Sequence, residues 1–260
     1  MVTMSGETGC KEPSWDEASE AWADFVRTGK DYFRDALNNP ATFKMIGEIA
    51  GLRVLDLACG EGYNTRILAR KHAEVTGIDK SGELLALAMS EEDREPLNIN
   101  YLLRDADSLN DVSDECFDLV TCFMALHDIE NYDEAVGEVA RVLKMNGRFV
   151  FSIPHPCFET VTIDGVSMEA SKAYFRRIKD LTQWNMKRLS KHFTTVSFHR
   201  PISDYSQVLR RRGLLIIQMV EPQATSDMVE RYPVLKEVAR RPQSMIFEAA
   251  KCQFVSARIE

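Results

Sequence analysis

The chain lacks any run approaching the roughly 18 apolar residues that a membrane-spanning helix needs. Its first residues, MVTMSGETGCKEPSWDEASEAW, have neither the basic start nor the apolar stretch of a signal peptide, so the cytoplasm is the expected location and no membrane partner is expected. The six cysteines form no CxxC pair and none stands at zinc-ligand spacing from a histidine. They read as scattered reduced thiols, with no metal site and no disulfide framework. A basic excess is missing too: 32 Lys and Arg stand against 40 Asp and Glu, a net charge of −8. That balance argues against nucleic acid as the main partner, since such binders usually present a basic face. No internal repeat or low-complexity segment occurs.

What remains is the composition of a folded domain, 45% hydrophobic and 28% charged over 260 residues. Residues 1–13 are polar and read as a mobile end. Trp15, Ala18, Trp22 and Phe25 lie three or four apart, which predicts a helix with one apolar face. A second helical stretch covers about Asp31–Ile49, interrupted near Asn38-Asn39-Pro40. Short apolar runs then alternate with helical patterns. Strands are predicted at Arg53–Ala58, Glu74–Asp79, Ile99–Ala106, Cys116–Phe123 and Gly147–Ile153, with helices at Asn64–Lys71, Glu83–Ser90 and Asp133–Lys144. The alternation stops over about Pro154–Arg200, an aromatic segment with a mixed helical pattern. It resumes with a helix at Tyr205–Arg212 and strands at Leu214–Pro222 and Ser244–Cys252. Such alternation implies a doubly wound, mostly parallel sheet covered on both faces. The expected organisation is a helical extension over 1–50, a nucleoside-binding core over 51–154, an inserted cap over 155–200 and the end of the core sheet over 201–260. The insertion beside the strand ends suits a lid or substrate wall.

Ligands of such sheets sit at the carboxyl ends of the strands. There the segment Asp56-Leu57-Ala58-Cys59-Gly60-Glu61-Gly62 joins the first strand to a helix, and its glycines let the backbone pass close to a ligand. A dinucleotide fingerprint would continue to a third glycine, but Thr65 stands there. Asp56 and Glu61 suit a cationic ligand better than a pyrophosphate. Asp79 ends the second strand 17 positions past Gly62, where an acidic residue meets a ribose diol in nucleotide folds. Asp105 and Ala106 close the third strand. The aspartate can accept from an adenine amino group and the next backbone N–H can meet a ring nitrogen; a solvated acidic turn fits the same residues.

The order and spacing of VLDLACGEG, GIDKS, RDADSL, FDLVTCFMALHDI and RVLKMNGRFVFSIP resemble the class I S-adenosylmethionine-dependent methyltransferases, in the group that methylates small molecules. The resemblance spans about Gly51–Pro154. Asn146 and Arg104 depart from it where that family commonly has glycine. It implies a seven-stranded sheet and S-adenosylmethionine as cofactor, with S-adenosylhomocysteine as product. It also implies cofactor contacts at Asp56, Ala58, Cys59, Gly60, Gly62, Asp79, Lys80, Asp105 and Ala106. Cys122 and Phe123 would line the pocket floor, and Tyr32 and Arg34 would close over the cofactor from the N-terminal helices.

Methyl transfer from a sulfonium needs alignment and exclusion of water more than a strong base. His127, after the fourth strand, and His155, opening the rigid His-Pro-Cys-Phe stretch, are the candidate catalytic groups. His199 and Tyr205 are weaker candidates, and His72 and His192 read as surface residues. Cys59 and Cys157 lack a basic neighbour and read as inert thiols. Arg210-Arg211-Arg212 reads as a solvated face. The expected partner is a small acceptor whose reacting atom the sequence leaves open. The N-terminal helices suit either a lid or a homodimer contact. Rival readings are a methyltransferase acting on a macromolecule, a non-catalytic regulator that binds the same cofactor, and an NAD-dependent dehydrogenase. Thermal unfolding separates the last: S-adenosylmethionine and S-adenosylhomocysteine should raise Tm and NAD should not. Stabilisation by NAD alone would reverse the assignment.

Overall fold

The computed structural model describes residues 12–253; Cys10 and most of the polar 1–13 segment lie outside that range. The core strands are β1 (Arg53–Leu57), β2 (Glu74–Asp79), β3 (Asn100–Leu103), β4 (Phe117–Cys122) and β5 (Leu143–Pro154). The insertion supplies β6 (Thr160–Ile163), β7 (Val166–Glu169), β8 (Ile178–Trp184) and β9 (Phe193–His199), and the chain ends through β10 (Leu214–Val220) and β11 (Ser244–Lys251). Seven of these form one sheet in the order β10-β11-β5-β4-β1-β2-β3. All its strands run parallel except β11, which is antiparallel to both β5 and β10. This is the doubly wound, mostly parallel sheet that the alternation predicts.

The helices are α1 (Trp15–Arg27), α2 (Asn39–Ile46), α3 (Tyr63–Arg70), α4 (Gly82–Arg94), α5 (Tyr132–Val142), α6 (Ile202–Arg211) and α7 (Ser226–Arg231). The strand side chains alternate between two cores. Val54, Val75, Leu119 and Val150 pack with Met45 and Ile46 of α2 and Leu68 of α3. Leu55, Phe149, Phe151 and Phe247 pack on the other face against Val136 and Val139 of α5 and Val208 of α6. Phe151 stacks between Phe149 and Phe247 with ring centroids 4.8 and 4.9 Å away. Parallel strands buried on both faces read as continuous apolar runs for this reason.

The stretch predicted as one broken helix resolves into a π-helical turn over Arg34–Asn38 followed by α2, with Pro40 in its first turn, where a missing N–H leaves no bond unmade. Asn146 adopts φ +65°, so it makes the left-handed turn for which glycine is the usual choice; asparagine tolerates that conformation.

The insertion differs from expectation. It holds two β-hairpins, β6–β7 and β8–β9, each a separate two-stranded sheet, where a mixed helical pattern was predicted. Asp164 and Gly165 make the first turn with φ +52° and +78°, the geometry that two-residue hairpin turns demand. Trp184 and Phe193, nine positions apart, face each other across the second hairpin with stacked rings 5.6 Å apart. Cross-strand pairing, not helical spacing, sets the aromatic pattern here.

Candidate active site

At the carboxyl end of β1 the backbone enters a tight loop, with Ala58, Gly60 and Gly62 all at positive φ. Two different demands select the glycines. A Cβ on Gly60 would meet no atom within 4 Å, so its bare backbone leaves open space beside the cavity. A Cβ on Gly62 would collide with the Tyr101 hydroxyl and crowd the Arg66 guanidinium. Gly62 therefore serves packing against β3, and it does not line the cavity. Asp56 is fully buried. Its carboxylate accepts from Thr65 Oγ1 at 2.6 Å and from Thr121 Oγ1 at 2.8 Å, while burial pushes its pKa up to about 6. Glu61 departs from its expected role. It is held by Arg66 at 3.0 Å and Arg27 at 2.8 Å, which leaves it an internal ion pair in place of an attraction for a cationic ligand.

One cavity of about 660 Å³ opens at these strand ends, within the size range of small-ligand sites. Asp56, Ala58, Cys59, Gly60, Asp79, Lys80, Asp105, Ala106 and Phe123 line it, as do Arg34 and His127. Asp79 Oδ2 accepts from the Gly60 N–H and Oδ1 from the Ser81 N–H, both at 2.8 Å. Each oxygen keeps a lone pair for a further donor. Burial raises its pKa against these backbone bonds. Arg34 stacks on the Tyr63 ring at 3.7 Å and donates to Asp35 and to the Val26 carbonyl.

Several expected contacts fall elsewhere. Cys122 is buried in the sheet core and does not reach the cavity. Tyr32 packs on Tyr232 at 5.0 Å with Arg188 over its ring, outside the cavity wall. His155 is also absent from the wall: its Nε2 lies 2.8 Å from Glu221 Oε1 and its Nδ1 accepts from the Cys157 N–H, so the ring locks the His-Pro-Cys-Phe turn. Tyr205 sits in the core behind the sheet, 6.4 Å from Phe151. His199 does line the cavity. His72 and His192 are exposed.

The sequence offers the N-terminal helices as a lid but points to Tyr32 and Arg34 for it, and not to the α1 residues that form the roof. Helix α1 closes it, fixed by Ser81 Oγ donating to Asp16 at 2.6 Å and by Arg27 on Glu61. Trp15 and Trp22 meet Trp184 of β8 at 6.2 and 5.3 Å. Val234, Val238 and Gln243, between β10 and β11, line the opposite side. No periodicity marked that segment.

His127 and Asp128 follow β4. Burial pushes His127 down to about 3, so the ring is neutral, and its buried Nδ1 has no partner. Burial pushes Asp128 up to about 8, against a hydrogen bond from Trp15 and the nearby Lys80 and Arg200. Both groups are thus neutral at pH 7, in a pocket that disfavours uncompensated charge. Among the described residues no group of three or more His, Cys, Asp or Glu could hold a metal ion, and no helix is long and apolar enough to cross a membrane.

The cavity lies at the strand-order switch of a doubly wound α/β sheet, where ligands of such folds bind. Residues 55–151 match the family model described as a methyltransferase domain. The chain is 29% identical over 185 residues to a ubiquinone biosynthesis O-methyltransferase of Coxiella burnetii, covering 64% of this chain and 79% of that one. It is 36% identical over 126 residues to a demethylmenaquinone methyltransferase of Tropheryma whipplei, covering 48% and 52%. An S-adenosylmethionine-dependent methyltransferase of Mesorhizobium loti superposes with a TM-score of 0.69 at 29% identity, over 81% of this chain and 96% of that one. Over residues 55–151 the chain carries a methyltransferase domain, its fold is that of the class I S-adenosylmethionine-dependent methyltransferases, and S-adenosylmethionine is its cofactor. The open cradle at Gly60 and the buried carboxylate at Asp79 fit that group.

Asp128 gives a pH test. Its folded pKa stands above its ordinary value, so its contribution to stability is full at low pH and is lost as pH rises through about 8. Asp128→Asn keeps an acceptor for Trp15 and removes the ionisation. Its Tm should exceed that of the wild type, by a margin that widens from pH 5 to pH 8.5. Equal margins at both pH values would refute the neutral carboxyl.

Proposed function

We propose that this enzyme transfers the methyl group of S-adenosylmethionine to a small hydroxylated aromatic acceptor, of the quinol type on which the relatives' names centre. The observation that carries this reading is the cavity of about 660 Å³ shared by the strand-end cradle and an aromatic roof from α1 and the inserted hairpins. A roofed cavity suits a small molecule, whereas a macromolecular substrate needs an open groove. Within the expected 1–50 extension, the helices from α1 onward act as a lid within their own chain, supported by the α1 contacts to Ser81 and Glu61. The hairpins within 155–200 act as the acceptor wall. The five free thiols among the described residues support a reducing, cytoplasmic setting.

In this reading the Asp79 carboxylate holds the ribose diol and the backbone at Ala58 and Gly60 lies along the amino-acid part. Asp105 and Ala106 border the adenine, and Arg34 faces the carboxylate. Bound there, S-adenosylmethionine would supply an electrophilic methyl carbon, with its sulfur as the leaving group. With the His127 proton on Nε2, toward Asp128 Oδ1 at 3.2 Å, Nδ1 is a bare acceptor. It orients the acceptor hydroxyl by accepting its hydrogen bond; as the carbon–oxygen bond forms, the hydroxyl proton leaves along that hydrogen bond and is released to solvent with the product, and the roof excludes water meanwhile. A ring held neutral this strongly serves orientation better than proton storage.

Asp79→Ala should lose at least tenfold in S-adenosylhomocysteine affinity by calorimetry; near-normal affinity would refute the ribose role. His127→Phe should lower turnover at least tenfold with affinity for S-adenosylhomocysteine retained. His127→Asn, whose Oδ1 stands near the position of Nδ1, should recover part of the rate. Full turnover in the Phe variant, read with labelled S-adenosylmethionine and a panel of quinols and catechols, would reduce His127 to scaffold. Cofactor binding without turnover on any acceptor would favour the regulator.

A further inference from the structure

The inner face of the hairpin β8–β9 mixes polar residues with apolar ones, while Lys179, Leu181 and Gln183 face outward. Along Ile178–Trp184 the residues turned into the cavity are Asp180, Thr182 and Trp184, while Leu181 points outward, 51% exposed. Strand geometry makes this a single choice of face, because successive side chains alternate. The partner strand sets Ser197 opposite Asp180 and His199 opposite Ile178, and both Ser197 and His199 also line the cavity. Placing polar residues inside and leucine outside is destabilising unless the polar face meets something.

Two carboxylates stand on this wall. Asp180 is 6% exposed; its Oδ1 accepts from the Thr162 N–H at 3.0 Å. Among the described residues no cation pairs with it and its Oδ2 accepts no hydrogen bond. Glu159 precedes β6 and reaches the same cavity. His199 fixes it from behind: Nδ1 lies 2.5 Å from Glu159 Oε1, and Nε2 lies 3.0 Å from the Tyr174 carbonyl oxygen. A carbonyl only accepts, so Nε2 carries a hydrogen, and the pair at Nδ1 shares another. Both imidazole nitrogens are engaged, so His199 cannot itself receive the acceptor. The Glu159 side chain stays 18% exposed against 1% for His199, so the carboxylate is the group offered to the cavity.

We infer that Glu159, positioned by His199, and Asp180 form an acceptor-binding wall that takes a hydroxyl or amino donor and rejects acceptors carrying a carboxylate. The inference rests on the proposed small aromatic acceptor and adds its substituent chemistry. A buried carboxylate left without a donor is costly, and a second anion against it more so. The wall therefore discriminates by repulsion as well as attraction. Around the pair lie Asp180 on β8, His155 after β5, and Asp204 on α6, itself paired with Arg177. Burial raises Glu159 and the His199 imidazole holds it down.

The test uses the full chain saturated with S-adenosylhomocysteine and three catechols, bearing an ethylammonium, a hydroxyethyl or a carboxymethyl side chain. Calorimetry should show the first two binding at least tenfold tighter than the third. Asp180→Asn and Glu159→Gln should each narrow that ratio to within threefold while S-adenosylhomocysteine affinity stays within twofold. His199→Gln removes a cation beside Glu159. It should move upward the pH below which the ethylammonium catechol loses its preference, whereas a merely structural histidine would weaken binding alike at every pH. Equal or tighter binding of the carboxymethyl catechol, binding of none of the three, or an unchanged ratio in both carboxylate variants overturns the inference and leaves the methyltransferase standing. Failure of S-adenosylhomocysteine itself to bind overturns the functional reading beneath it.

Discussion

The buried carboxylate of Asp56 holds the cofactor side of the molecule together. It sits at the point where strand order turns, and its two hydroxyl partners come from α3 and from β4. Three elements are thereby tied at the end of β1, and the loop that follows has one path to take. No cation offsets this carboxylate among its bonds, so both hydroxyls are needed to make burial tolerable. With the loop so placed, Gly60 donates its N–H to Asp79, and the second strand's end is fixed relative to the first. The cradle is a consequence of this bracing before any ligand arrives.

The two halves of the cavity obey different physics. The strand-end half is made by backbone geometry, with positive φ at Ala58 and Gly60 and N–H groups aimed at Asp79. The roof half is made by side chains, mainly the Trp15, Trp22 and Trp184 cluster, on elements that touch the sheet only in part. Neutral His127 and Asp128 stand where the halves meet. Trp15 of α1 donates a hydrogen bond to Asp128, so the position of α1 bears on the electrostatics there.

The sheet was legible in the sequence because parallel strands buried on both faces leave continuous apolar runs, and RVLDLA and GRFVFSI are such runs. The cradle was legible because turns of this kind restrict residue type. Gly62 shows where that reading stops: the residue reports a clash with Tyr101, 39 positions away, which local sequence does not carry. His155 and Cys122 likewise stand beside the right strands but turn to Glu221 and to the core, and a one-residue change of face decides that. The hairpins were missed although Asp164-Gly165 between TVTI and VSME is a strong turn signal. Aromatic spacing across Pro154–Arg200 suggests a mixed helical pattern, which hides Asp180 and leaves His199 a weak candidate without its partners. Glu159 had no local signal, since its meaning lies in a partner on β9.

The inserted hairpins share no ladder with the main sheet. Their side chains can therefore change without disturbing the register of the strands that carry the cradle. On the proposed acceptor wall, such a separation would let one scaffold diversify: drift in the hairpins would alter which acceptor is admitted, while the cradle is inherited intact. The same separation makes the inward polar positions of β8 and β9 the natural place to graft a new preference by design, with Trp184 and Phe193 kept to hold the hairpin on α1.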